Sequence, residues 1–207
     1  FGWKNKKTNL RKYRTAYIQI PRKNGKSTMC AAIGLYMLSD DSERGSEIFS
    51  AAGDRAQAGI VFEIAKQMII NNIELTKRSK VFRNSITNES KGNFYQAISS
   101  DSKTKHGFNA NCVIFDELHT QPNRDLWDTL LTSTGARRQP LCIAITTAGY
   151  DRQSICWEIY NYAKQVENKI IKDESFYSCI YEAEIDDDIT DQKVWKKANP
   201  NYGISLR

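Results

Sequence analysis

The side chains with the clearest chemistry lie in residues 21–27, PRKNGKS, which end in Gly25-Lys26-Ser27. Such a loop binds phosphate when it joins a strand to a helix, because its backbone N–H groups and the helix N-terminus then face the anion. Lys26 would neutralise phosphate charge, and the hydroxyl of Ser27 would ligate Mg²⁺. The full pattern GxxxxGK[ST] requires a glycine where this chain has Ile20, so only the second half of the motif is present.

An acidic pair, Asp116-Glu117, forms the second motif and directly follows the apolar residues 112–115, CVIF. A run without polar alternation is typical of a strand buried on both faces, and ligands of such sheets bind beyond the carboxyl ends of the strands. Asp116 could then hold Mg²⁺, and Glu117 could polarise an attacking water. An Asp-Glu helix cap and a surface Gly-Lys-Ser turn are the simpler interpretations of each motif alone. Together the two motifs favour an ATPase.

The apolar pattern predicts the elements that would bring these motifs together. Short apolar runs predict strands at 17–20, 47–52, 112–115, 141–145 and 176–181, and amphipathic segments predict helices at 26–38, 58–69 and 154–166. Residues 80–98 are more polar, which predicts a β-ribbon or an irregular excursion, and a short helix is expected around Trp195. This alternation predicts an α/β fold with a mostly parallel central sheet flanked by helices.

Composition narrows the class of protein. The 207 residues, 40% of them hydrophobic, suit one compact domain. No run approaches the roughly 18 apolar residues of a membrane helix, and no apolar segment follows the cationic start as in a secretory signal. The five cysteines include no CxxC pair, which favours reduced, buried thiols over a zinc site or a disulfide framework.

The net charge of +6 is concentrated near the start of the chain. Residues 1–39 contain nine Lys or Arg and no acid, so the remainder has 21 basic and 24 acidic residues, a balance of −3. Such an arm could follow the phosphates of a nucleic acid, although a solvated, flexible terminus explains the charge as well. The cations of this arm are Lys4, Lys6, Lys7, Arg11, Lys12 and Arg14.

Taken together, the motifs resemble the large terminase subunit of tailed phages. The similar segments are PRKNGKS at 21–27, AAGDRAQA at 51–58, DELH at 116–119, TTAG at 146–149 and ANP at 198–200. The resemblance implies a P-loop NTPase of the additional-strand (ASCE) type whose loop has basic residues in place of the first glycine, with Arg22 or Lys23 facing the nucleotide. It also implies that the 146–149 loop couples ATP hydrolysis to DNA movement.

The resemblance implies a site for the phosphates of ATP and for Mg²⁺, with these two as cofactors. Lys26, Arg22 and Glu117 would be catalytic, and Ser27 and Asp116 would hold the metal. The nucleotide would be contacted by Pro21, Arg22, Lys23, Asn24, Gly25, Lys26, Ser27, Thr28 and Thr147. The expected partners are double-stranded DNA, a portal protein, a small terminase subunit and further copies in a ring, without a membrane, in the cytoplasm of an infected bacterial host.

We predict an ATPase domain over residues 1–185, including the basic arm, and the start of a linker or lid over 186–207. The abrupt start without Met indicates a piece of a longer protein, and an RNase-H-like nuclease domain is expected beyond Arg207. The adenine-contacting segment expected before the P-loop would be cut off or reduced to the arm with Trp3 and Tyr13.

We further expect a lone copy to hydrolyse ATP slowly and to cut no DNA. A neighbouring subunit would supply a cation to the transition state. The candidates are Lys103, Lys105, Arg137 and Arg138, all in polar loops.

Three further interpretations stay open at this point. A DExH-type helicase would need a second RecA-like domain, for which this chain has no room. A nucleotide-dependent DNA-binding switch would not need the water-activating Glu117. His119 could sense a γ-phosphate beside Glu117, or it could be a polar residue that opens a surface helix.

Overall fold

A computed structural model describes residues 2–100 and 107–204. Within these ranges, eight strands form one sheet in the order β3-β4-β5-β2-β6-β7-β1-β8. The strands from β5 to β8 in this order run parallel, whereas β4 runs antiparallel to both β3 and β5. The strands are β1 Thr15–Gln19, β2 Glu47–Ala52, β3 Lys80–Val81, β4 Ser85–Asn88, β5 Asn93–Ser99, β6 Ala110–Phe115, β7 Leu141–Thr146 and β8 Phe176–Ile180.

Helices cover both faces of this sheet. On one face α1 and α2 pack over the side chains of Ala16, Ile18 and Ile114, and on the other face α4 and α5 pack over Tyr17 and Phe115. Every residue of β6 and β7 is buried, which explains why these two strands have no polar alternation. The helices are α1 Lys26–Ser39, α2 Arg55–Ile70, α3 Ile73–Arg78, α4 Asp125–Ser133, α5 Ile155–Glu167 and α6 Gln192–Ala198.

The strand order places the two chemical motifs at the same edge of the sheet, with one strand between them. Strand β1, which leads into residues 20–25, pairs with β7, and β7 pairs with β6, which leads into Asp116. Because all three strands are parallel, their carboxyl ends meet at one edge of the sheet. The predicted α/β fold is confirmed, and most predicted boundaries agree with the observed ones to within two residues.

The region of residues 80–98 differs in part from the expectation. Strands β3, β4 and β5 do form an antiparallel ribbon. The ribbon is not an excursion, however, because β5 also pairs in parallel with β2 along its length and so extends the central sheet. Its polar character follows from partial burial, since alternate residues of β4 remain half-exposed.

The basic arm is largely exposed to solvent but forms a folded turn that is anchored to the domain. Residues 2–12 turn back on themselves, and Lys4 and Arg11 form an antiparallel bridge. Arg11 is 7% exposed and pairs with the buried Asp41 at 2.7 Å. Four of the five cysteines are buried as expected, and Cys179 is half-buried. None of the helices in the part of the chain that the structure describes is long and apolar enough to cross a membrane.

Candidate functional site

The loop between β1 and α1 has the geometry of a phosphate cradle. Helix α1 begins at Lys26, and its N-terminus has no side-chain cap, so the first N–H groups of the helix remain available to an anion. Gly25 and Lys23 both have left-handed backbones, with φ of 77° and 68°. These two residues turn the chain sharply enough for the loop to fold over the helix start.

Lys26 lies inside this loop and is 6% exposed. Its Nζ donates hydrogen bonds to the carbonyl oxygens of Ile20 at 2.8 Å and Pro21 at 3.3 Å. Burial lowers the pKa of Lys26, and the nearby carboxylates of Glu117 and Asp116 offset part of that effect. A buried cation held by weak carbonyl partners is well placed to exchange them for phosphate oxygens.

Asp116 follows β6 and is 1% exposed. Its backbone N–H donates to the carbonyl of Ala51 at 2.8 Å, which fixes the residue against β2. Neither carboxylate oxygen has a hydrogen-bond partner among the described residues. Burial and the neighbouring charge of Glu117 raise the pKa of Asp116 to about 6. The charge of Lys26 and the nearby backbone N–H of Glu117 lower this pKa only in part. Burial of the carboxylate is therefore costly, and a bound cation would offset that cost.

Glu117 has a left-handed backbone with φ 48° and ψ 58°, a conformation that is unfavourable for a residue with a Cβ. The turn directs its carboxylate into the site, where Oε1 lies 3.9 Å from Nζ of Lys26. Oε2 accepts a hydrogen bond from the backbone N–H of Thr147 at 3.2 Å. Burial raises the pKa of Glu117, but hydrogen bonding to His119 and the charge of Lys26 outweigh it and bring the pKa below its ordinary value.

His119 contacts the acid rather than standing apart as a surface residue. Its Nδ1 lies 3.2 Å from Oε2 of Glu117 and 2.9 Å from Oγ1 of Thr146. The Thr146 hydroxyl donates to the carbonyl of Thr147 at 2.8 Å. The end of β7 is therefore joined to Glu117 by both a histidine and the backbone, and this arrangement can fix the orientation of the carboxylate.

A buried polar chain continues from Thr146 along the α5 side of the sheet. Cys156 Sγ lies 3.8 Å from both Thr146 Oγ1 and Tyr17 OH, and Tyr17 OH donates to Gln19 Oε1 at 2.9 Å. Gln19 in turn donates to Glu182 Oε2 at 2.9 Å. These buried polar contacts were not predicted from the sequence. The local signal was a glutamine, Gln19, between two apolar isoleucine residues.

Two further contacts at the site were also missed. The backbone N–H of Asn201 donates to Oδ1 of Asn24 at 3.0 Å, which joins the C-terminal segment to the P-loop. Gly53 lies so close to the turn after Glu117 that a Cβ on it would come within 2.4 Å of the carbonyl oxygen of Thr120. Neither contact has a sequence signal, because each joins residues that are distant in the chain.

The other residues that were expected to contact the nucleotide differ in how far they are exposed. Arg22 and Lys23 are exposed on the loop, although the charge of Arg22 is near enough to lower the pKa of Lys26 after the larger effects of burial and the two carboxylates. Pro21, Asn24, Ser27 and Thr147 are half-buried, whereas Gly25 and Thr28 are exposed.

Of the four expected trans-acting cations, Lys103 and Lys105 lie outside the described residues. Arg137 donates to the carbonyls of Gly45 and Asn109, both at 2.6 Å, so its guanidinium already braces neighbouring loops. Arg138 is exposed.

Mg²⁺ suits the oxygen ligands that the two motifs supply. The two unpartnered oxygens of Asp116 and the hydroxyl of Ser27, at the start of α1, are hard oxygen ligands of the kind that Mg²⁺ binds. With the cradle, the buried lysine and the acidic pair at the ends of two parallel strands that are separated by β7, the fold and site define a P-loop ATPase of the additional-strand type.

Comparison with known proteins identifies the family. The family model of the terminase large subunit ATPase domain matches residues 1–165, and the chain belongs to this family. It is 32% identical over 198 residues to the large terminase subunit of Enterobacteria phage HK97, covering 91% of this chain and 37% of that protein. The crystal structure of the HK97 large terminase superposes with a TM-score of 0.82 at 30% identity, covering 94% of this chain and 40% of that one.

Two more relatives complete the comparison. Protein YmfN of Escherichia coli K12 is 39% identical over 100 residues, which are 48% of this chain and 22% of that protein. A large terminase from a thermophilic bacteriophage, solved in complex with ATP-gamma-S, shares the fold with a TM-score of 0.56 at 14% identity, covering 90% of this chain and 43% of that one. The chain thus spans less than half the length of these relatives.

Proposed function

We propose that this chain binds Mg²⁺ and ATP in the loop of residues 20–27 and hydrolyses the γ-phosphate with Glu117 as the base that activates water. One observation carries the proposal. The uncapped start of α1, the buried Lys26 and the Asp116-Glu117 pair all converge at one sheet edge, where Glu117 Oε1 lies 3.9 Å from Lys26 Nζ. Such a cation, base and helix terminus are the parts that phosphoryl transfer requires.

Each side chain has a defined role in this proposal. Lys26 would leave the carbonyls of Ile20 and Pro21 and bind the β- and γ-phosphates. Ser27 and Asp116 would hold Mg²⁺, which neutralises phosphate charge when bound. Glu117, its pKa lowered as described, stays ionised at neutral pH and can accept a proton from water. The loop residues expected to contact the nucleotide, Arg22 included, keep that assignment as part of the proposal.

The biological role follows as a proposal from the family. The HK97 relative is a terminase large subunit, and the terminase of the thermophilic bacteriophage was solved with an ATP analogue. We infer that this domain couples ATP hydrolysis to the movement of double-stranded DNA into a procapsid. The partners would be a portal protein, a small terminase subunit and further copies in a ring, in the cytoplasm of an infected bacterial host. The predicted division at residue 185, with a linker or lid after it, belongs to the same proposal.

The chemical step is tested by separating binding from turnover. Lys26→Ala should abolish ATP binding in a calorimetric titration, while Lys66→Ala on α2 serves as a matched control and should bind normally. Glu117→Gln should bind ATP but lose about 10²–10⁴-fold in turnover, because the amide keeps the shape and loses the basicity. Normal hydrolysis by Glu117→Gln would instead favour the nucleotide-dependent switch or a different base.

Activation in trans is tested by the dependence of rate on assembly. We expect a lone copy to turn over slowly and to be stimulated when copies assemble on DNA, since a trans-acting cation is worth roughly 10³–10⁵ in rate. Arg138→Ala should reduce that stimulation without weakening ATP affinity if Arg138 is the cation. Fast turnover that is independent of protein concentration would contradict activation in trans and leave the ATPase assignment intact.

A further inference from the structure

The basic residues at the start of the chain belong to a defined structural element. Residues 2–12 form an N-terminal hairpin in which Asn5 N–H donates to Leu10 O and Lys12 N–H donates to Trp3 O, both at 2.8 Å. Its turn is closed by Asn5 Oδ1, which accepts from the backbone N–H of Lys7 at 2.9 Å. The lysines of this hairpin are therefore presented by a hydrogen-bonded turn with a defined geometry.

A buried ion pair anchors the N-terminal hairpin to the domain. Arg11 Nη2 donates to Asp41 at 2.7 Å, and the backbone N–H of Arg11 donates to Gln139 Oε1 at 3.4 Å. These contacts lie beside the end of α1 and the start of β7, at the amino edge of the sheet. The P-loop lies at the opposite edge, so the length of β1 separates the hairpin from the nucleotide site.

The exposed face of the hairpin carries a positive charge that no neighbouring acid among the described residues balances. Lys4, Lys6 and Lys7 are all exposed, and no carboxylate among the described residues lies within ion-pair distance of them. The cleft under Lys4 contains Asp40 and Asp41, but these acids pair with two arginines, at 3.4 Å and 2.7 Å respectively. Elsewhere among the described residues some lysines pair with acids, as at Lys66, Lys77, Lys80, Lys164, Lys172 and Lys197. Other exposed lysines in the described part of the chain do not, as at Lys23, Lys169, Lys193 and Lys196. The hairpin differs by placing three such lysines within four residues of one turn.

We propose that the N-terminal hairpin binds the phosphate backbone of double-stranded DNA through Lys4, Lys6 and Lys7. Lysine ammonium groups bind phosphates as point charges and carry no base preference, so the contact is independent of sequence. Because the hairpin and the P-loop occupy opposite edges of the sheet, DNA and ATP can be bound at the same time. The choice of DNA over an acidic protein rests on the proposed function.

The proposal is tested by binding of a fluorescent duplex of about 30 base pairs across a range of salt concentrations, without nucleotide. The triple variant Lys4→Ala, Lys6→Ala, Lys7→Ala should bind about tenfold or more weakly at low salt. The slope of log K against log salt should become shallower by about 2 to 3, since each lost phosphate contact removes roughly 0.9. ATP turnover without DNA should be unchanged, which shows that the variant is folded.

A matched triple variant controls for net charge. Lys77→Ala, Lys80→Ala, Lys172→Ala removes the same three charges from sites paired with acids and should change the slope little. Equal weakening by both triple variants, or no weakening by the hairpin variant, would overturn the hairpin site, the second result being the one expected of an acidic protein partner. Failure of the unmodified chain to bind duplex would instead count against the DNA part of the proposed function.

Discussion

Two buried aspartates at opposite edges of the same sheet show how differently a fold can treat a charge. Asp41, 2% exposed, accepts hydrogen bonds from Arg11 at 2.7 Å, Gln139 at 3.2 Å and Asn111 at 3.4 Å. Asp116, 1% exposed, has no partner for either oxygen among the described residues. The Asp41 carboxylate has its hydrogen-bond partners within the domain and stabilises the fold. The Asp116 carboxylate has no such partners within the described part of the domain, as expected of a group that would hold a cation.

The largest effect on stability should come from breaking the ion pair between Arg11 and Asp41. Arg11→Ala leaves Asp41 as a buried charge without its cation, and we expect a loss of about 3–5 kcal/mol in the free energy of unfolding. Urea denaturation followed by circular dichroism measures this value. Arg14→Ala is the matched control, because Arg14 is exposed and should cost little. A small effect at Arg11 would mean that the hairpin is only loosely joined to the domain.

Neutralising the carboxylate of Asp116 should change the free energy of unfolding in the opposite direction and stabilise the protein. The raised pKa of Asp116, about 6 against an ordinary 3.8, means that the folded state holds this proton more tightly than the unfolded state. Stability from Asp116 is therefore present below about pH 4 and is lost as the pH rises to about 6. Asp116→Asn should then stabilise the metal-free protein at about pH 8 by about 2–3 kcal/mol and have little effect near pH 4.

Asp41→Asn is the companion measurement that sharpens the contrast. It should destabilise the protein at about pH 8, because it removes the charge that Arg11 requires. Urea midpoints at low and high pH in a chelating buffer compare both variants. If Asp116→Asn and Asp41→Asn both destabilise at the higher pH, the distinction between a structural and a functional carboxylate is wrong.

Crowding of the turn after Glu117 should reduce activity at a smaller cost in stability. A Cβ on Gly53 would meet the Thr120 carbonyl at 2.4 Å, so Gly53→Ala must displace the turn that positions Glu117. We expect a loss of about 1–3 kcal/mol and a lower turnover with ATP affinity preserved. Gly59→Ala on α2 has nothing within 4 Å and is the control. An unchanged turnover number would show that this turn tolerates movement.

The smallest effect concerns the left-handed backbone of Glu117. Glu117→Ala and Glu117→Gly both remove the carboxylate and should both lose turnover. The glycine variant should be more stable than the alanine variant by about 1 kcal/mol, because glycine adopts φ of 48° without a Cβ penalty. Thermal unfolding of the two variants side by side measures this difference. Greater stability of the alanine variant would exclude strain at this position.

The sequence predicted those features that are encoded locally. Apolar runs such as residues 112–115 located the buried strands, and the motifs at Lys26 and Asp116 indicated the chemistry at the ends of those strands. Contacts between residues that are far apart in the sequence could not be predicted. Arg11 resembled any other cation of a solvated arm until its contact with Asp41, 30 residues away, was visible. The orientation of His119 toward Glu117 likewise depends on Thr146 at the end of a different strand.

The hydrogen bond from Asn201 to Asn24 couples the position of the C-terminal segment to ligand binding at the P-loop. A ligand that displaces Asn24 loosens the segment, and any force or partner that pulls the segment away must change ligand affinity by the same factor. One neutral hydrogen bond contributes about 0.5–1.5 kcal/mol, which limits the factor to roughly two- to tenfold. Asn201→Pro removes the donor and should shift ATP affinity within that range. A larger shift would indicate more than one coupled contact.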